Sequence, residues 1–223
     1  MPAERLLTAT GQPVQGPLLI TPQVFGDERG FFFESWNERR FREDLFRSGI
    51  PKEEVEALQF RQDNHSHSTR GVLRGLHYQL PPEPQGKLVR CSAGEIFDVA
   101  VDMRRWSSSY GQWVGALLSA DNYRQLWVPI GFAHAFLTLS DVAEVQYKAS
   151  GFWNRDCERS LRWDDVRLAI QWPLHLAGVS HHYWLLRMQK HPRLRFWKHP
   201  GRYSFESPTY RCQWSVGTGS EWI

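Results

Sequence analysis

Short segments in which apolar and polar residues alternate recur through the first two thirds of the chain, and turn-forming residues separate them. These segments span residues 18–24, 30–36, 72–79, 87–93, 95–103, 113–118, 125–129, 133–139 and 143–147. A period of two is typical of a half-buried strand, and many such strands at short spacing are typical of a β-sandwich or barrel. We therefore predict an all-β fold.

One stretch departs from this pattern and predicts a helix. Within residues 38–48, Phe41, Leu45 and Phe46 share one helical face, and a Ser-Gly pair at the end provides a stop signal. Residues 52–57 allow a second short helix. We expect these one or two helices to lie at the periphery of the β structure.

The composition changes abruptly near Pro173. From His175 onward the chain contains five of the nine histidines and four of the eleven tryptophans, lacks Asp, and carries most of the excess positive charge. We therefore predict one folded domain over residues 1–174 and an atypical basic tail over residues 175–223. Because the basic charge belongs to the tail, it does not indicate that the folded body binds nucleic acid.

The three cysteines, Cys91, Cys157 and Cys212, are too few and too scattered for a disulfide framework, and no pair has zinc-ligand spacing. The N-terminus leads into no apolar segment of signal-peptide length, and no later run approaches the length that spans a bilayer. These features predict a cytoplasmic protein that does not bind membranes.

Arg74 and His77 place a cation and a titratable base three residues apart within residues 71–79. Side chains three apart on a regular strand point to opposite faces, but Gly75 allows a bulge that would turn both toward one cavity. We therefore predict that this segment contributes a phosphate contact and a proton carrier to one pocket.

Lys87 opens the strand that follows, and Tyr147 ends another. Removal of a proton beside a carbonyl needs a neutral imidazole, a cation or hydrogen-bond donor for the enolate oxygen, and an acid on the other face. His77, Lys87 and Tyr147 together supply that set. A nearby Arg would lower the pKa of Lys87 and a carboxylate such as Asp98 would raise it, so the sequence leaves the direction open.

His134 follows a Pro-Ile-Gly turn in a segment that resembles the second cupin motif, where it would face a barrel interior. A metal-dependent cupin would require His65 and His67 to converge with His134. Histidines of a loop or an edge strand are the simpler interpretation of His65 and His67, and we predict no metal site.

Two polar segments offer further ligand contacts. Arg29 lies at a turn before an aromatic strand and has the planar guanidinium that suits a phosphate, while Glu34 at its end is a hydrogen-bond acceptor. Gln62, Asp63 and Asn64 follow one another, and Gln62 shares strand parity with Asn64.

Taken in order, these segments resemble the dTDP-4-dehydrorhamnose 3,5-epimerase family of cofactor-free cupins, over roughly residues 15–174. The matching motifs are residues 24–34, 62–66, 72–77, 85–90, 97–102, 129–134, 146–148 and 170–173. The resemblance implies a cupin-type jelly roll that acts on dTDP-4-keto-6-deoxy-D-glucose. His77 would remove the protons at C3 and C5, Tyr147 would return a proton from the other face, and Lys87 would hold the enolate oxygen.

The resemblance also implies a set of substrate-binding residues, namely Gln62, Asp63, Asn64, Arg74, Lys87, His134 and Glu158. It implies a homodimer in which an exchanged N-terminal segment brings Arg29 and Glu34 to the partner's pocket. Neither a cofactor nor a metal is implied.

The chain departs from the family pattern after Trp172 and Pro173. The family continues into a Ser-Ala-Lys-Asp segment whose Asp orients the catalytic His, and nothing here matches it. We therefore expect His77 to lack a group that fixes its tautomer, and we suggest that the reading frame changed near residue 179. The alternatives are a non-catalytic or weakened sugar-nucleotide-binding cupin, and an epimerase of a single carbon.

Overall fold

A computed structural model describes residues 3–178 of the 223-residue chain. Within these residues the chain forms thirteen strands and two short helices. The elements are β1 Ala3–Leu7, β2 Pro13–Ile20, β3 Val24–Asp27, β4 Gly30–Phe33, α1 Glu38–Arg47, α2 Lys52–Ala57, β5 Gln62–Thr69, β6 Leu73–Gln79, β7 Lys87–Ala93, β8 Glu95–Asp102, β9 Trp113–Ser119, β10 Gln125–Val128, β11 Phe132–Thr138, β12 Val142–Ala149 and β13 Glu158–Ser160. The predicted all-β fold is confirmed.

Two antiparallel sheets face each other across the core. One contains six strands in the order β1-β2-β10-β7-β12-β5, and the other contains five in the order β13-β6-β11-β8-β9. Apolar side chains from both inner faces form one buried cluster, which includes Val89, Leu126, Ile96 and Val114. This arrangement is a β-sandwich, and alternate residues of each strand point outward from it.

The two helices cover the outer face of the six-stranded sheet. Asn37 caps α1 by accepting a hydrogen bond from the Arg40 amide, and Phe41 and Leu45 are almost fully buried against Trp127 and its neighbours. The peripheral position was predicted correctly. Phe46, which was expected on the buried face, is exposed.

Several strand predictions differ from the structure. The segment predicted at 18–24 is the end of β2, and Val24 begins a separate hairpin formed by β3 and β4. Three strands were not predicted at all, namely β1, β5 and β13. Residues 62–69 contain no apolar side chain, so the alternation that reveals other strands is absent from β5.

The packed chain continues past Trp172. Ala177 is buried with Leu73 and Leu137 on the outer face of the five-stranded sheet. The predicted tail beyond Gly178 and the suggested frame change near residue 179 lie outside the described residues. Neither helix among residues 3–178 has the length and apolarity needed to cross a membrane.

Candidate active site

A β-bulge in β6 brings Arg74 and His77 to the same face of the five-stranded sheet. His77 lies opposite His134, and Arg74 lies opposite Phe136. The two β6 residues are three positions apart and their β11 partners only two, so β6 contains one extra residue here. The flanking Leu73 is buried on the other face of the sheet. The predicted bulge next to Gly75 is therefore confirmed, and both polar side chains face the space between the sheets.

The ring of His77 is held at both nitrogens. Its Nδ1 lies 2.8 Å from the carbonyl oxygen of Gly75, and its Nε2 lies 2.7 Å from Nζ of Lys87. Because a carbonyl only accepts, Nδ1 carries the hydrogen and Nε2 keeps its lone pair, which accepts from the ammonium. The backbone therefore fixes the tautomer of His77, contrary to the expectation that no group would do so.

The pKa of His77 lies well below its usual 6.5. Burial is the largest cause, and the positive charge of Lys87 acts in the same direction. The imidazole is accordingly neutral at pH 7, which is the protonation state that a general base needs.

Lys87 is the first residue of β7 and points inward with only 4% of its surface exposed. Burial lowers its pKa from 10.5 to about 8, and the carboxylates of Asp98 and Glu158 oppose that shift. The sequence had left this direction open. Lys87 therefore remains mostly charged at pH 7 while lying against a neutral imidazole.

Tyr147 faces the same space from β12. It is half-buried, and Nζ of Lys87 lies 5.6 Å from the centre of its ring. Burial raises the pKa of the Tyr147 phenol, and Arg74 works against that shift. The phenol thus keeps its proton through the neutral range and can act as an acid.

These groups border a cavity of about 160 Å³ between the open ends of the sheets. Six of its lining residues were predicted from the sequence, namely Gln62, Asn64, His77, Lys87, Tyr147 and Glu158. They come from five different strands, β5, β6, β7, β12 and β13. The fold therefore brings base, cation and phenol to one mouth, as predicted.

His134 lies beside this cavity, deeper between the sheets. It is almost fully buried, its ring centre is 5.8 Å from that of His77, and its Nε2 lies 2.6 Å from Oδ1 of Asp98. Arg74 lies at the exposed side, where its guanidinium donates to the Ser68 hydroxyl and to the His67 carbonyl. Both were predicted to face the pocket region.

Besides His134 and Arg74, which lie next to the cavity without lining it, three predicted site residues lie away from it. Asp63 lies on the opposite face of β5 from its two neighbours and pairs with Lys148 at 3.0 Å. Arg29 is exposed at the β3–β4 turn and pairs with Asp27, and Glu34 pairs with Arg40 at 2.6 Å. For Asp63 the reason is strand parity, which the sequence already contained.

Four lining residues were not selected from the sequence, namely Tyr78, Gln79, Gln85 and Trp153. Gln79 is buried and donates to the carbonyl of Phe152, while its side-chain oxygen accepts from the amide of Asn154. It therefore fixes the loop that carries Trp153 to the cavity. The available signal was its position two residues after His77 in the same predicted strand, which gives the two side chains the same strand parity.

The metal-dependent alternative is wrong, because the three histidines that it required do not converge. His65 and His67 lie on the outer face of β5, next to Glu144 of β12, whereas His134 points into the sandwich. Among residues 3–178 no group of three or more His, Cys, Asp or Glu side chains is arranged to hold a metal ion.

A family model described as dTDP-4-dehydrorhamnose 3,5-epimerase matches residues 11–188. The chain belongs to this family. A curated epimerase of that name from Pseudomonas aeruginosa is 54% identical over 173 residues, which cover 78% of this chain and 90% of the relative. The resemblance stated from the sequence motifs is therefore confirmed.

Solved structures of 3,5-epimerases and related enzymes share the fold. The RmlC epimerase of Legionella pneumophila, solved in complex with dTDP-4-keto-L-rhamnose, superposes with a TM-score of 0.67 at 45% identity, covering 77% of this chain and 84% of that one. ChmJ, a 3'-monoepimerase from Streptomyces bikiniensis, reaches 0.63 at 30% identity, covering 72% and 76%. The sandwich described above is thus the cupin-type jelly roll of these epimerases.

Proposed function

We propose that this member of the family converts dTDP-4-dehydro-6-deoxy-D-glucose into dTDP-4-dehydro-L-rhamnose by epimerisation at C3 and C5. The observation that carries the proposal is the contact between a neutral His77 and a charged Lys87 on one wall of the cavity. A C4 ketone acidifies the hydrogens on both neighbouring carbons, so one base and one cation can serve both sites.

The first step is removal of a proton by Nε2 of His77. The C–H bond breaks, the proton goes to Nε2, and the electron pair moves through the new C–C double bond to the C4 oxygen. In the structure the lone pair of Nε2 accepts from the ammonium of Lys87, so bound substrate must replace this hydrogen bond. Nε2 is then free to take the proton, and the ammonium turns to the enolate oxygen, which it stabilises. Desolvation strengthens this ion–enolate interaction.

The second step is proton return by Tyr147 from the opposite face of the sugar. Tyr147 projects from β12 of the other sheet, across the cavity from His77 on β6. Its raised pKa keeps the phenol protonated and makes its conjugate base strong enough to be reprotonated by water. Protonation from the second face inverts the carbon.

The resemblance and the positions of the side chains support a proposed set of substrate contacts. Gln62, Asn64 and Glu158 line the cavity and would contact the sugar, with His134 beneath them. Arg74 lies at the exposed side with a guanidinium suited to the diphosphate. The reaction moves protons and transfers no electrons to an acceptor, so the chemistry calls for no redox cofactor.

The direct test is incubation with the 4-keto sugar nucleotide in deuterated water, followed by NMR of the product. Deuterium at both C3 and C5, with the L-rhamno configuration, supports the proposal. Deuterium at C3 alone would replace it with single epimerisation, the activity named for ChmJ. Binding of dTDP without any exchange would instead favour the non-catalytic alternative.

A homodimer with an exchanged N-terminal segment is part of the proposal. The β3–β4 hairpin exposes Phe25, Phe31 and Phe32, each more than half accessible, and such an aromatic patch marks an interaction surface. Arg29 stands at its turn with 85% of its side chain exposed. We expect this hairpin to reach the pocket of a second copy.

Mixing two inactive variants tests this exchange. If Arg29 serves the partner's pocket, subunits carrying Arg29→Ala and subunits carrying His77→Asn should regain activity when they are unfolded and refolded together, since one pocket of the mixed dimer has both residues. No recovery despite mixed-dimer formation would contradict it.

A cytoplasmic location is also proposed, because Cys91 and Cys157 are unpaired thiols, as a reducing compartment favours.

A further inference from the structure

Asp98 is a buried carboxylate beneath the cavity, outside the set of groups that contact substrate in the proposed reaction. It lies in the middle of β8, has no exposed surface, and shares strand parity with the core residues Ile96 and Ala100. A carboxylate taken out of water is costly unless it is paired. A carboxylate among apolar neighbours therefore needs a functional explanation.

The hydrogen bonds of Asp98 account for one of its two oxygens. Oδ1 lies 2.6 Å from Nε2 of His134, whereas Oδ2 is buried without a hydrogen-bond partner in residues 3–178. Nδ1 of His134 is likewise buried and unpaired there. A hydrogen bond to His134 alone would be satisfied by a neutral side chain, so a carboxyl group at this position needs another explanation.

A row of titratable side chains connects Asp98 with Lys87. The His134 ring bonded to Asp98 lies 5.8 Å from the His77 ring, and His77 contacts the ammonium of Lys87. The row thus begins at a carboxylate and ends at a cation, with two imidazoles between them. Charges separated by low-dielectric protein interact far more strongly than charges in water.

Lys87 is surrounded by ionisable groups from several strands. His77 on β6 and Tyr147 on β12 lie next to it, and Asp98 on β8 and Glu158 on β13 influence its pKa. Arg74 on β6 and His134 on β11 influence the neighbouring His77. Asp98 and Glu158 are the two carboxylates in this set. Glu158 lines the cavity, where bound substrate changes its surroundings, while Asp98 stays shielded beneath it.

We propose that Asp98 is a positioning residue whose buried negative charge keeps the ammonium of Lys87 protonated and whose Oδ1 holds the ring of His134. The inference rests on the proposed function, because a charged Lys87 matters for stabilising an enolate. Asp98 acts through Lys87 and His134 and touches no reacting atom.

Two opposing effects set the pKa of Lys87. Burial lowers its pKa to about 8, and of the two carboxylates that oppose this shift Asp98 has the larger influence. A nearby opposite charge typically moves a pKa by about 1 unit or more. Without Asp98, a smaller fraction of Lys87 would be charged at pH 7, and its stabilisation of an enolate oxygen would weaken.

The variant Asp98→Asn separates charge from hydrogen bonding. The amide keeps the shape and its oxygen still accepts from His134, but the negative charge is gone. Lysine labelled with ¹³C at Cε reports the titration of Lys87 by NMR, and Lys87→Arg assigns the signal by its disappearance. We expect the midpoint for Lys87 to fall by about 1 pH unit in Asp98→Asn. An unchanged midpoint would overturn the proposal.

Asp102→Asn is the matched control. Asp102 is a fully buried carboxylate of the same strand, but it pairs with Arg104, Ser107 and Ser109. It is not one of the carboxylates that raise the pKa of Lys87. Its removal should leave the Lys87 midpoint unchanged. A fall equal to that in Asp98→Asn would show a general loss of packing and would contradict the specific role.

A second variant covers the case in which Asp98→Asn does not fold. His134→Gln removes the imidazole and keeps the carboxylate, so the Lys87 midpoint should not fall. A fall of about 1 unit in His134→Gln would show that the imidazole, and not the charge of Asp98, controls Lys87.

Activity provides the second readout and separates the two proposals. In Asp98→Asn the alkaline limb of kcat/KM should move to lower pH together with the Lys87 midpoint, with little change at the acid end. A wild-type chain that exchanges no substrate hydrogen would reject the proposed function. An unshifted Lys87 midpoint would reject the role of Asp98 whether or not the chain is active.

Discussion

Nε2 of His77 lies 2.7 Å from Nζ of Lys87, and the two groups have opposite requirements. The proposed base must be neutral and the proposed cation must be charged. Burial depresses the pKa of both, and each charge disfavours the other, yet the shifts leave a range in which both conditions hold. The proposed activity therefore requires a pH between the pKa of His77, well below 6.5, and that of Lys87, about 8.

The pH profile follows from these shifts. His77 is protonated only well below pH 6.5, and Lys87 loses its proton above about 8. We expect kcat/KM to stay level as the pH falls through 6.5, and to decline about tenfold per pH unit above 8. Rate measurements from pH 5 to 10 check this, and an acid limb at 6.5 with no alkaline limb would disagree with it.

Tyr147→Phe should uncouple exchange from inversion. His77 can still remove and return a proton on its own face, so deuterium from the solvent should enter the substrate without a change of configuration. We expect net epimerisation to fall by about 10²–10⁴-fold, the usual contribution of a positioned acid. NMR of the recovered sugar nucleotide in deuterated water measures both quantities. Inversion at an undiminished rate would remove Tyr147 from the mechanism.

Acid should destabilise the fold partly through His77. Its folded pKa is depressed, so between that value and 6.5 the unfolded chain binds the proton that the folded chain excludes. The free energy of unfolding must therefore decrease as the pH falls below about 6.5. Urea titrations at pH 7.5 and 5 should show a smaller decrease for His77→Gln than for the wild type. Equal decreases would argue against a depressed pKa.

Phe41→Ala tests the helix that covers the six-stranded sheet. Phe41 has 1% of its surface exposed and lies 5.3 Å, ring to ring, from Trp127. Its truncation should lower the free energy of unfolding by about 3–5 kcal/mol. Because Phe41 lies on the outer face of the sheet, kcat should change by less than about threefold under conditions where the variant is folded. Denaturant titration measures the free energy of unfolding, and steady-state kinetics measures kcat. A much larger loss of kcat would place α1 in the catalytic machinery.

Two of the three strands that the sequence missed, β5 and β13, contain no apolar side chain. β5 has polar residues on both faces, because Gln62 and Asn64 line the cavity instead of the core. A strand that builds a polar site thus loses the very alternation by which strands are recognised. β13 is only three residues long and contains no apolar side chain.

The sequence predicted which residues meet at the site better than it predicted their hydrogen bonds and pKa shifts. The bulge at Gly75 and the meeting of His77, Lys87 and Tyr147 could be anticipated from residue type and turn signals. The carbonyl of Gly75 as partner of Nδ1 could not, because a backbone contact leaves no mark in the sequence. The sign of the Lys87 shift also needed the structure, since it depends on how burial compares with Asp98 and Glu158.

The most direct test of the role proposed for His77 is hydrogen exchange by His77→Asn. In deuterated water the wild type should incorporate deuterium at C3 and C5. The variant should do so about 10²–10⁴-fold more slowly, which is the usual contribution of a general base. His67→Asn, on the outer face of β5, should match the wild type. Exchange by His77→Asn at the wild-type rate, with the fold intact by circular dichroism, would contradict the account.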